Sequence, residues 1–253
     1  MTEPLAELKL LIDECSDEER AIIFEYLRDR VPQHPLEREW GVGSDVILSA
    51  ISRSSDLTKR GVRGIIAEAI FEKNILPRLR DWKAAAFTGN PSYDFLIQSN
   101  IEKKRQVRIQ VKLQRMEKGR PMLASKRRFP GEDMYVVEVQ KTRGGVDLQT
   151  NEQTRPYRFD DFDILAVNMH PSTGDWNRFL FTPSRWLLPR SENAALISIF
   201  QPVPRTASDV WTDQLEECVR WVASGERKRV FEPEGSASDM VQTGKKTRKP
   251  KRS

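Results

Sequence analysis

The chain has 253 residues, of which 38% are apolar and 31% charged, and its formal net charge is +5. This composition allows a sizeable core under a very polar surface, in one large domain or two small ones. The sequence has no apolar run near the length of a membrane span, begins with the acidic segment MTEPLAELKL and has only two histidines and two cysteines without CxxC or HxxxH spacing. We therefore expect a cytoplasmic protein without a membrane span, a secretory signal or a zinc site.

Amphipathic segments predict a helical N-terminal region over residues 1–58. The spacing of the apolar residues predicts helices at 4–14, 18–30 and near 45–53. Ser16 and Glu19 form an S-x-x-E capping box that opens the second helix. The first two helices would form a hairpin ended by Val31 and Pro32, and its role could be dimerisation, DNA contact or simple packing.

The region 59–231 has the pattern of a mixed sheet flanked by helices. A long amphipathic helix is predicted over 59–80, and a turn at Gly89-Asn90-Pro91 follows it. Alternating or apolar runs predict strands at 93–98, 106–114, 134–140, 162–169 and 176–182. A helix near 207–223 closes the region. The order predicts an α/β fold with a helical N-terminal extension.

Positive charge is concentrated in residues 101–130, which contain eleven Lys and Arg against two Glu. This block suits a phosphate-rich partner, and we expect nucleic acid, although a solvated strand edge guarded by Lys would have a similar composition. Recognition loops are expected at 115–132, 141–160 and 190–206. The candidate DNA-contacting residues are Arg115, Lys118, Arg120, Lys126, Arg127, Arg128 and Arg143. Residues 232–253 are polar and end in the basic KKTRKPKRS, which predicts a disordered tail.

The second predicted strand carries an unusual polar face. In the segment RIQVKLQR, apolar and polar residues alternate, so Gln110 and Lys112 project together from the polar face. Asp94 begins the preceding strand, and a hairpin of the two strands would place it opposite them. Glu68, or Glu72 one turn later, could reach the same position from the preceding helix. Carboxylates and an amide oxygen can bind Mg²⁺, and an amine beside them can assist a water that attacks phosphorus.

These motifs resemble those of the PD-(D/E)xK nucleases. A helix with G-x-x-x-E is followed by PSYDFLI and then by VRIQVK; in that superfamily an Asp begins one strand and D/E-x-K lies on the next. The family core order, helix, three strands, helix, strand, matches residues 59–169 apart from a weak helical signal at 146–160. Two features depart from the family pattern. Pro91 precedes Asp94 by three residues instead of one, and Gln110 replaces the middle carboxylate.

The whole chain resembles a type II restriction endonuclease most. The resemblance implies a restriction-endonuclease-like fold, catalytic residues Asp94, Gln110, Lys112 and Glu68, and a Mg²⁺ site formed by Asp94, Gln110, Val111 and Glu68. It also implies hydrolysis of double-stranded DNA at a short specific sequence to 5′-phosphate and 3′-hydroxyl ends, and a homodimer that matches palindromic DNA. A cognate DNA methyltransferase would act on the same sequence. A DNA-repair or junction nuclease on the same core, or an inactive DNA-binding protein, remains an alternative.

Other charged and aromatic residues of this region are expected to have structural roles. Glu138 and Lys141 have E-x-x-K spacing, which would place them on opposite faces of a strand. An acidic cluster without a paired Lys precedes the fourth strand, and it consists of Asp160, Asp161 and Asp163. His170 is expected in a loop, with a DNA contact as the alternative, and the tryptophans are expected in packing rather than base stacking.

Overall fold

The computed structural model describes residues 3–28, 30, 34–89, 91–127, 129, 134–141 and 155–231. The chain divides into two compact units, Met1–Arg60 and Gly61–Ser253. Within the described residues, no helix has both the length and the apolar character needed to cross a membrane. The predicted tail at 232–253 lies outside the described residues, as do Arg128, Arg143 and most of the weak helical signal at 146–160.

The first unit consists of short helices that lack a buried core. They are α1 (Glu3–Glu14), α2 (Asp17–Arg28), α3 (Pro35–Trp40), α4 (Ser44–Arg53) and the start of α5 (Asp56–Ile70). The predicted capping box is confirmed, because the Glu19 carboxylate accepts the Ser16 backbone N–H at 2.8 Å and the Ser16 hydroxyl accepts that of Glu19 at 3.3 Å. Helix α3 was not predicted because six residues are too few for a periodic pattern. None of the described residues from 3 to 60 is buried.

The predicted helix at 59–80 is three consecutive helical segments. Helix α5 is followed by one π-helical turn, Phe71–Ile75, and one 3₁₀ turn, Leu76–Arg78. Phe71 is fully buried, with its ring 5.1 Å from that of Phe95. Glu72, the next residue, is exposed. This aromatic contact fixes α5 and the turn after it on one face of the sheet.

In the described residues of the second unit, the strands form one main sheet and two small ribbons. Their bounds are β1 (Trp82–Ala85), β2 (Phe95–Ser99), β3 (Gln106–Leu113), β4 (Met116–Glu117), β5 (Arg120–Pro121), β6 (Met134–Glu138), β7 (Ile164–Asn168), β8 (Phe179–Pro183) and β9 (Phe200–Pro204). The main sheet has the order β1-β2-β3-β7-β8. Only the β3–β7 pair is parallel, and the other pairs are antiparallel. The fold is therefore mixed α/β with a five-stranded mixed sheet.

Apolar residues cover both faces of this sheet. One face packs on α5 and on the last helix, α7 (Leu215–Ser224), through residues that include Ala67, Val111 and Val219. The other face holds a second core, which includes Leu165, Val167 and the fully buried Trp186 and Trp211. The packing role predicted for these two tryptophans is confirmed. Because β3 is covered on both faces, the polar side chains that it points into the second core need partners there.

The prediction of the third strand was wrong about its position. Strand β6 forms at 134–138 but pairs with the unpredicted β9 rather than joining the main sheet. The reason is that β7 occupies the edge of β3 that a third consecutive strand would need. Strand β1 was missed because WKAA has no β-branched residue. Helix α7 begins at 215 rather than 207, because Thr212 exchanges two backbone hydrogen bonds with Phe181 of β8.

Candidate active site

The register of the β2–β3 hairpin places Asp94 against Gln110. Phe95 pairs with Ile109, and Asp94, one residue before β2, donates its backbone N–H to the Ile109 carbonyl at 3.0 Å. On the N-terminal side of Asp94, the chain no longer pairs with β3 through backbone hydrogen bonds. The Asp94 carboxylate takes its place, because Oδ2 accepts the Val111 N–H at 2.8 Å. Asp94 is thus fixed at the start of its strand by a side-chain hydrogen bond that replaces a sheet hydrogen bond.

Gln110 completes the hydrogen bonding of Asp94. Its Nε2 donates to the same Oδ2 of Asp94 and also to the Val111 carbonyl oxygen at 3.3 Å. The side chain is buried, at 2% exposure. Gln110 therefore presents its NH₂ group to Asp94, whereas metal binding would use its carbonyl oxygen. The amide would have to turn about its last torsion angle to bind a metal ion.

Burial and mutual charge perturb the three ionisable groups of the site. Burial raises the pKa of Glu68 to about 7, with a further contribution from the Asp94 charge and an opposing one from Lys112. Burial also raises the pKa of Asp94, against the opposing effects of Lys112, the Val111 N–H and Gln110. The pKa of Lys112 is lowered by burial, against the charges of Asp94, Glu68 and Glu138. Clusters of perturbed groups of this kind are typical of functional sites.

The structure distinguishes between the two glutamates of the preceding helix. Glu68 of α5 is half-buried and close enough for its charge to act on both Asp94 and Lys112. Glu72 lies in the π-helical turn and is exposed. Glu68, not Glu72, is therefore the helix carboxylate that interacts electrostatically with Asp94 and Lys112.

The sequence did not indicate that Tyr157, Lys141 and Asp161 lie near Lys112. Tyr157 is 4% exposed, and its ring lies 5.5 Å from Lys112 Nζ and 5.4 Å from Lys141 Nζ, measured to the ring centroid. Lys141 also pairs with Asp161 at 3.4 Å. Burial raises the pKa of Tyr157, and the charges of Asp94, Asp161 and Glu68 add to this effect. These residues come from segments far from β3 in the chain, and no periodic pattern marks them.

Glu138 is also closer to the site than its spacing suggested. Its carboxylate pairs with Arg115 at 2.6 Å and accepts a hydrogen bond from Gln140. Its charge opposes the lowering of the pKa of Lys112. Glu138 thus has the predicted structural role and also acts electrostatically on Lys112. Arg115, a predicted DNA contact, is already engaged in an ion pair with Glu138.

Asp160 and Asp163, the other two residues of the predicted acidic cluster, make structural hydrogen bonds to Arg108. Both Asp163 carboxylate oxygens accept hydrogen bonds from the Arg108 guanidinium, at 2.8 and 3.0 Å, and Oδ2 also accepts the Arg108 N–H. The Asp160 carbonyl accepts a further bond from Arg108. The prediction of a loop at His170 was wrong, because this residue begins the short helix α6 (His170–Thr173) and stacks on Trp176. These contacts join the starts of β3 and β7 and the segment after β7.

Five of the predicted DNA-contacting residues lie in the described ranges, in or near a small hairpin that follows β3: Arg115, Lys118, Arg120, Lys126 and Arg127. Strands β4 and β5 are joined by Lys118 and Gly119, whose φ angles of 48° and 75° are those of a type I′ turn. Lys118 and Arg120 are exposed at its tip. Lys126 is exposed but paired with Glu117, and the Arg127 guanidinium lies 3.9 Å above the Phe200 ring. The hairpin therefore offers unpaired positive charge mainly at its tip.

The donor chemistry of the site fits a hard divalent cation. Two carboxylates with raised pKa values, one amide and the Val111 carbonyl supply oxygen ligands of the kind that Mg²⁺ prefers. Within the described part of the chain, no group of three or more His, Cys, Asp and Glu could hold a metal ion. The two acids would therefore need Gln110, a backbone oxygen or water to complete a coordination shell.

Comparisons with protein-family models, curated proteins and solved structures found no match to this chain.

Proposed function

We propose that the protein is a Mg²⁺-dependent endonuclease of the PD-(D/E)xK type that cleaves double-stranded DNA. The observation that carries this proposal is the single cluster formed by Asp94, Gln110 and Lys112 on adjacent strands, with Glu68 from the preceding helix. Each of these groups was singled out by its position in the sequence motif. Their mutual electrostatic effects support a common site rather than four separate surface residues.

The order of the elements also supports the proposal. Helix α5 and strands β1, β2, β3 and β7 occur in this order in the chain, with β4 to β6 between β3 and β7. The four strands are neighbours in the main sheet. The resemblance implies the order helix, three strands, helix, strand. The three strands of that set are then β1, β2 and β3, whereas the strand at 134–138, predicted as the third, pairs with β9 outside the main sheet. The expected second helix coincides largely with residues outside the described ranges.

The metal ion would be held by Asp94, Glu68 and the Val111 carbonyl, with Gln110 contributing its oxygen after the amide turns. Bound Mg²⁺ supplies a Lewis acid for the phosphate and lowers the pKa of a bound water. Burial raises the pKa of Asp94 and of Glu68, and the nearby charge of Lys112 opposes this effect without cancelling it. A divalent cation would stabilise both carboxylates in their ionised form.

Lys112 would take the proton from the attacking water. Its pKa is lowered by burial, so a larger neutral fraction is available near neutral pH than for an exposed lysine. Water attack at phosphorus would break the bond to the 3′-oxygen, which takes a proton and leaves as the 3′-hydroxyl. The other product end is the 5′-phosphate. Lys112, once protonated, would also stabilise the negative charge on the phosphate oxygens.

Double-stranded DNA is the proposed substrate because of the basic residues near the site. Lys118 and Arg120 are exposed at the tip of the β4–β5 hairpin, which follows β3 directly. Exposed cations at such a hairpin suit the phosphate backbone. Arg115, Lys126 and Arg127 would contribute only if they leave their present partners.

A homodimer is the second part of the proposal. The described residues from 3 to 60 include no buried residue but many exposed large apolar ones, among them Leu10, Ile22, Phe24 and Leu48. Helices with no core of their own are stabilised by packing an amphipathic face on a partner. This unit carries thirteen acidic and eight basic residues, which disfavours DNA as that partner. A second copy of the chain would supply the two-fold symmetry that palindromic DNA requires.

The restriction class is the most specific part of the proposal. A type II enzyme would cut at one short sequence and would work beside a DNA methyltransferase that protects the same sequence. The experiment is incubation of purified protein with a sequenced supercoiled plasmid and Mg²⁺. Discrete fragments are the expected result. Nicking or structure-dependent cutting would indicate a repair or junction nuclease, and DNA binding without cutting would indicate an inactive DNA-binding protein.

A further inference from the structure

A second lysine, Lys141, contacts the same aromatic ring as the proposed catalytic Lys112. Lys112 Nζ and Lys141 Nζ lie 5.5 and 5.4 Å from the centroid of the Tyr157 ring, so the two ammonium groups cannot be more than about 11 Å apart. Tyr157 is buried, and its environment includes the charges of Asp94, Asp161 and Glu68. The ring therefore joins Lys141 to the same cluster as the proposed metal ligands.

Lys141 is held in place but remains open to solvent. Its backbone N–H donates to the Arg155 carbonyl at 2.9 Å, and its side chain is 30% exposed. Its ammonium contacts Asp161 at 3.4 Å, which is a long ion pair. Asp161 has a second partner, because its Oδ2 also accepts the Arg158 N–H at 3.0 Å. Asp161 thus stays hydrogen-bonded if Lys141 moves away.

We propose that Lys141 binds a backbone phosphate of the substrate strand, next to the phosphate that is cleaved beside Asp94 and Lys112. This inference rests on the proposed function and adds a substrate contact to the same site. Successive nucleotides rise about 3.4 Å per residue along one DNA strand, so a separation of at most about 11 Å covers the cleaved phosphate and its neighbours. Lys141 exchanges Asp161 for the phosphate when DNA binds.

The competing explanation is that Lys141 and Asp161 form a structural ion pair. The two explanations differ in the sign of one effect. If Lys141 binds phosphate, removing the carboxylate that competes for it strengthens DNA binding. If the pair is structural, loss of either partner lowers stability and neither loss changes the number of phosphates that are contacted.

The chain offers a matched control in Lys228. Its Nζ lies 3.4 Å from Glu226 and 5.4 Å from the centroid of the Trp186 ring, and its side chain is 30% exposed. These values equal those of Lys141 with Asp161 and Tyr157. Lys228 differs in position, since its partners do not include the proposed site residues. A general effect of losing a ring-stacked, paired lysine would therefore appear in both lysines.

The test measures binding of a labelled DNA duplex without Mg²⁺, as a function of salt concentration, for the wild type, Lys141→Gln, Lys141→Arg, Asp161→Asn and Lys228→Gln. We expect Lys141→Gln to bind DNA more weakly and to lose about one phosphate contact. Between 50 and 200 mM salt, the fold-loss of affinity of this variant should therefore be about three times smaller than that of the wild type. Lys141→Arg should restore the slope, and Asp161→Asn should bind more tightly. Lys228→Gln should match the wild type.

Two outcomes would overturn parts of this account, and they can be told apart. A wild-type protein that binds no DNA would overturn the proposed function itself. A wild type that binds, with Lys141→Gln and Lys228→Gln showing the same salt slope, would overturn only the role of Lys141. Thermal melting of each variant identifies a loss of folding, and Lys141→Arg keeps the inference testable if Lys141→Gln is unstable.

Discussion

Glu68 shows how burial controls protonation in this site. Its folded-state pKa of about 7 lies above the ordinary value of 4.5, so the folded protein holds this proton more tightly than the unfolded chain. The resulting stabilisation is fully present below about pH 4.5 and is lost as the pH rises through about 7. Above that pH the ionised carboxylate destabilises the fold unless a cation accompanies it.

Replacing Glu68 by Gln should therefore stabilise the protein at high pH. We expect Glu68→Gln to raise the free energy of unfolding by about 1–2 kcal/mol at pH 8 and by much less at pH 5, since the variant has no charge to bury. Chemical denaturation at both pH values measures the difference. Glu72→Gln is the control, because Glu72 is exposed. Equal effects of the two substitutions would place Glu68 outside the cluster.

Gln110→Glu tests whether position 110 can bind a metal ion. The substitution replaces the donor to Asp94 by an acceptor, so two carboxylates would face each other. We expect a lower melting temperature without metal at about pH 8 and a larger rise on addition of Ca²⁺ or Mg²⁺ than in the wild type, because a ligand of the folded state stabilises it. A metal-induced rise no larger than that of the wild type would remove residue 110 from the ligand set.

The central part of the site could be predicted because it is local. Asp94, Gln110 and Lys112 belong to one hairpin, and a period of two fixes which side chains share a face. The orientation of the Gln110 amide could not be predicted, since it depends on the Asp94 carboxylate and the Val111 carbonyl. Tyr157 and Lys141 could not be predicted either, because long-range packing brings them to Lys112 and no spacing in the sequence records it.

At the scale of elements, the positions of several strands could be predicted from the sequence, but the pairing between strands could not. Strand β3 follows its alternating pattern over 106–113, and the expected helix at 59–80 is helical over most of its length. The pairing of β6 with β9, and of β3 with β7, depends on competition for sheet edges between segments far apart in the chain. Periodicity within a strand indicates its buried face but does not identify its partner.

The β4–β5 hairpin allows charge and turn geometry to be separated. Lys118 has a φ of 48°, a conformation that Asn tolerates well. We expect Lys118→Asn to keep the melting temperature and to weaken DNA binding, with the salt slope reduced by about one. Gly119→Ala should instead lower stability by about 1–2 kcal/mol, because Gly119 also has a positive φ. If Lys118→Asn bound DNA like the wild type at every salt concentration, the hairpin tip would not be a phosphate contact.

At the scale of the whole molecule, the two units differ in how their apolar residues are used. The described residues of the second unit form a buried core on each face of the main sheet, whereas the described residues of the first form none. The apolar spacing that predicted helices in the first unit could not indicate this difference. Spacing places apolar residues on one side of a helix, but it does not supply the surface that covers them.

The proposed homodimer makes this difference testable. We expect the wild type to sediment at twice its chain mass of 29.3 kDa, and Ile22→Lys, which puts a charge at a side chain that is 70% exposed, to shift it toward the monomer. Ile101→Lys is the control, because Ile101 is 77% exposed but lies in the second unit. A wild type that stays monomeric at high concentration would contradict the dimer without affecting the catalytic site.

Single-turnover cleavage of plasmid DNA, with and without Mg²⁺, tests the central claim most directly. The wild type, Asp94→Asn, Lys112→Met and the control Lys228→Met should bind DNA, so that cleavage reports on chemistry alone. We predict Mg²⁺-dependent cleavage by the wild type and the control, and rates lower by at least ~10² for Asp94→Asn and Lys112→Met, the scale of losing one preorganised transition-state contact. Cleavage by Lys112→Met and Asp94→Asn at the wild-type rate, or no cleavage by a DNA-bound wild type with Mg²⁺, would contradict the account.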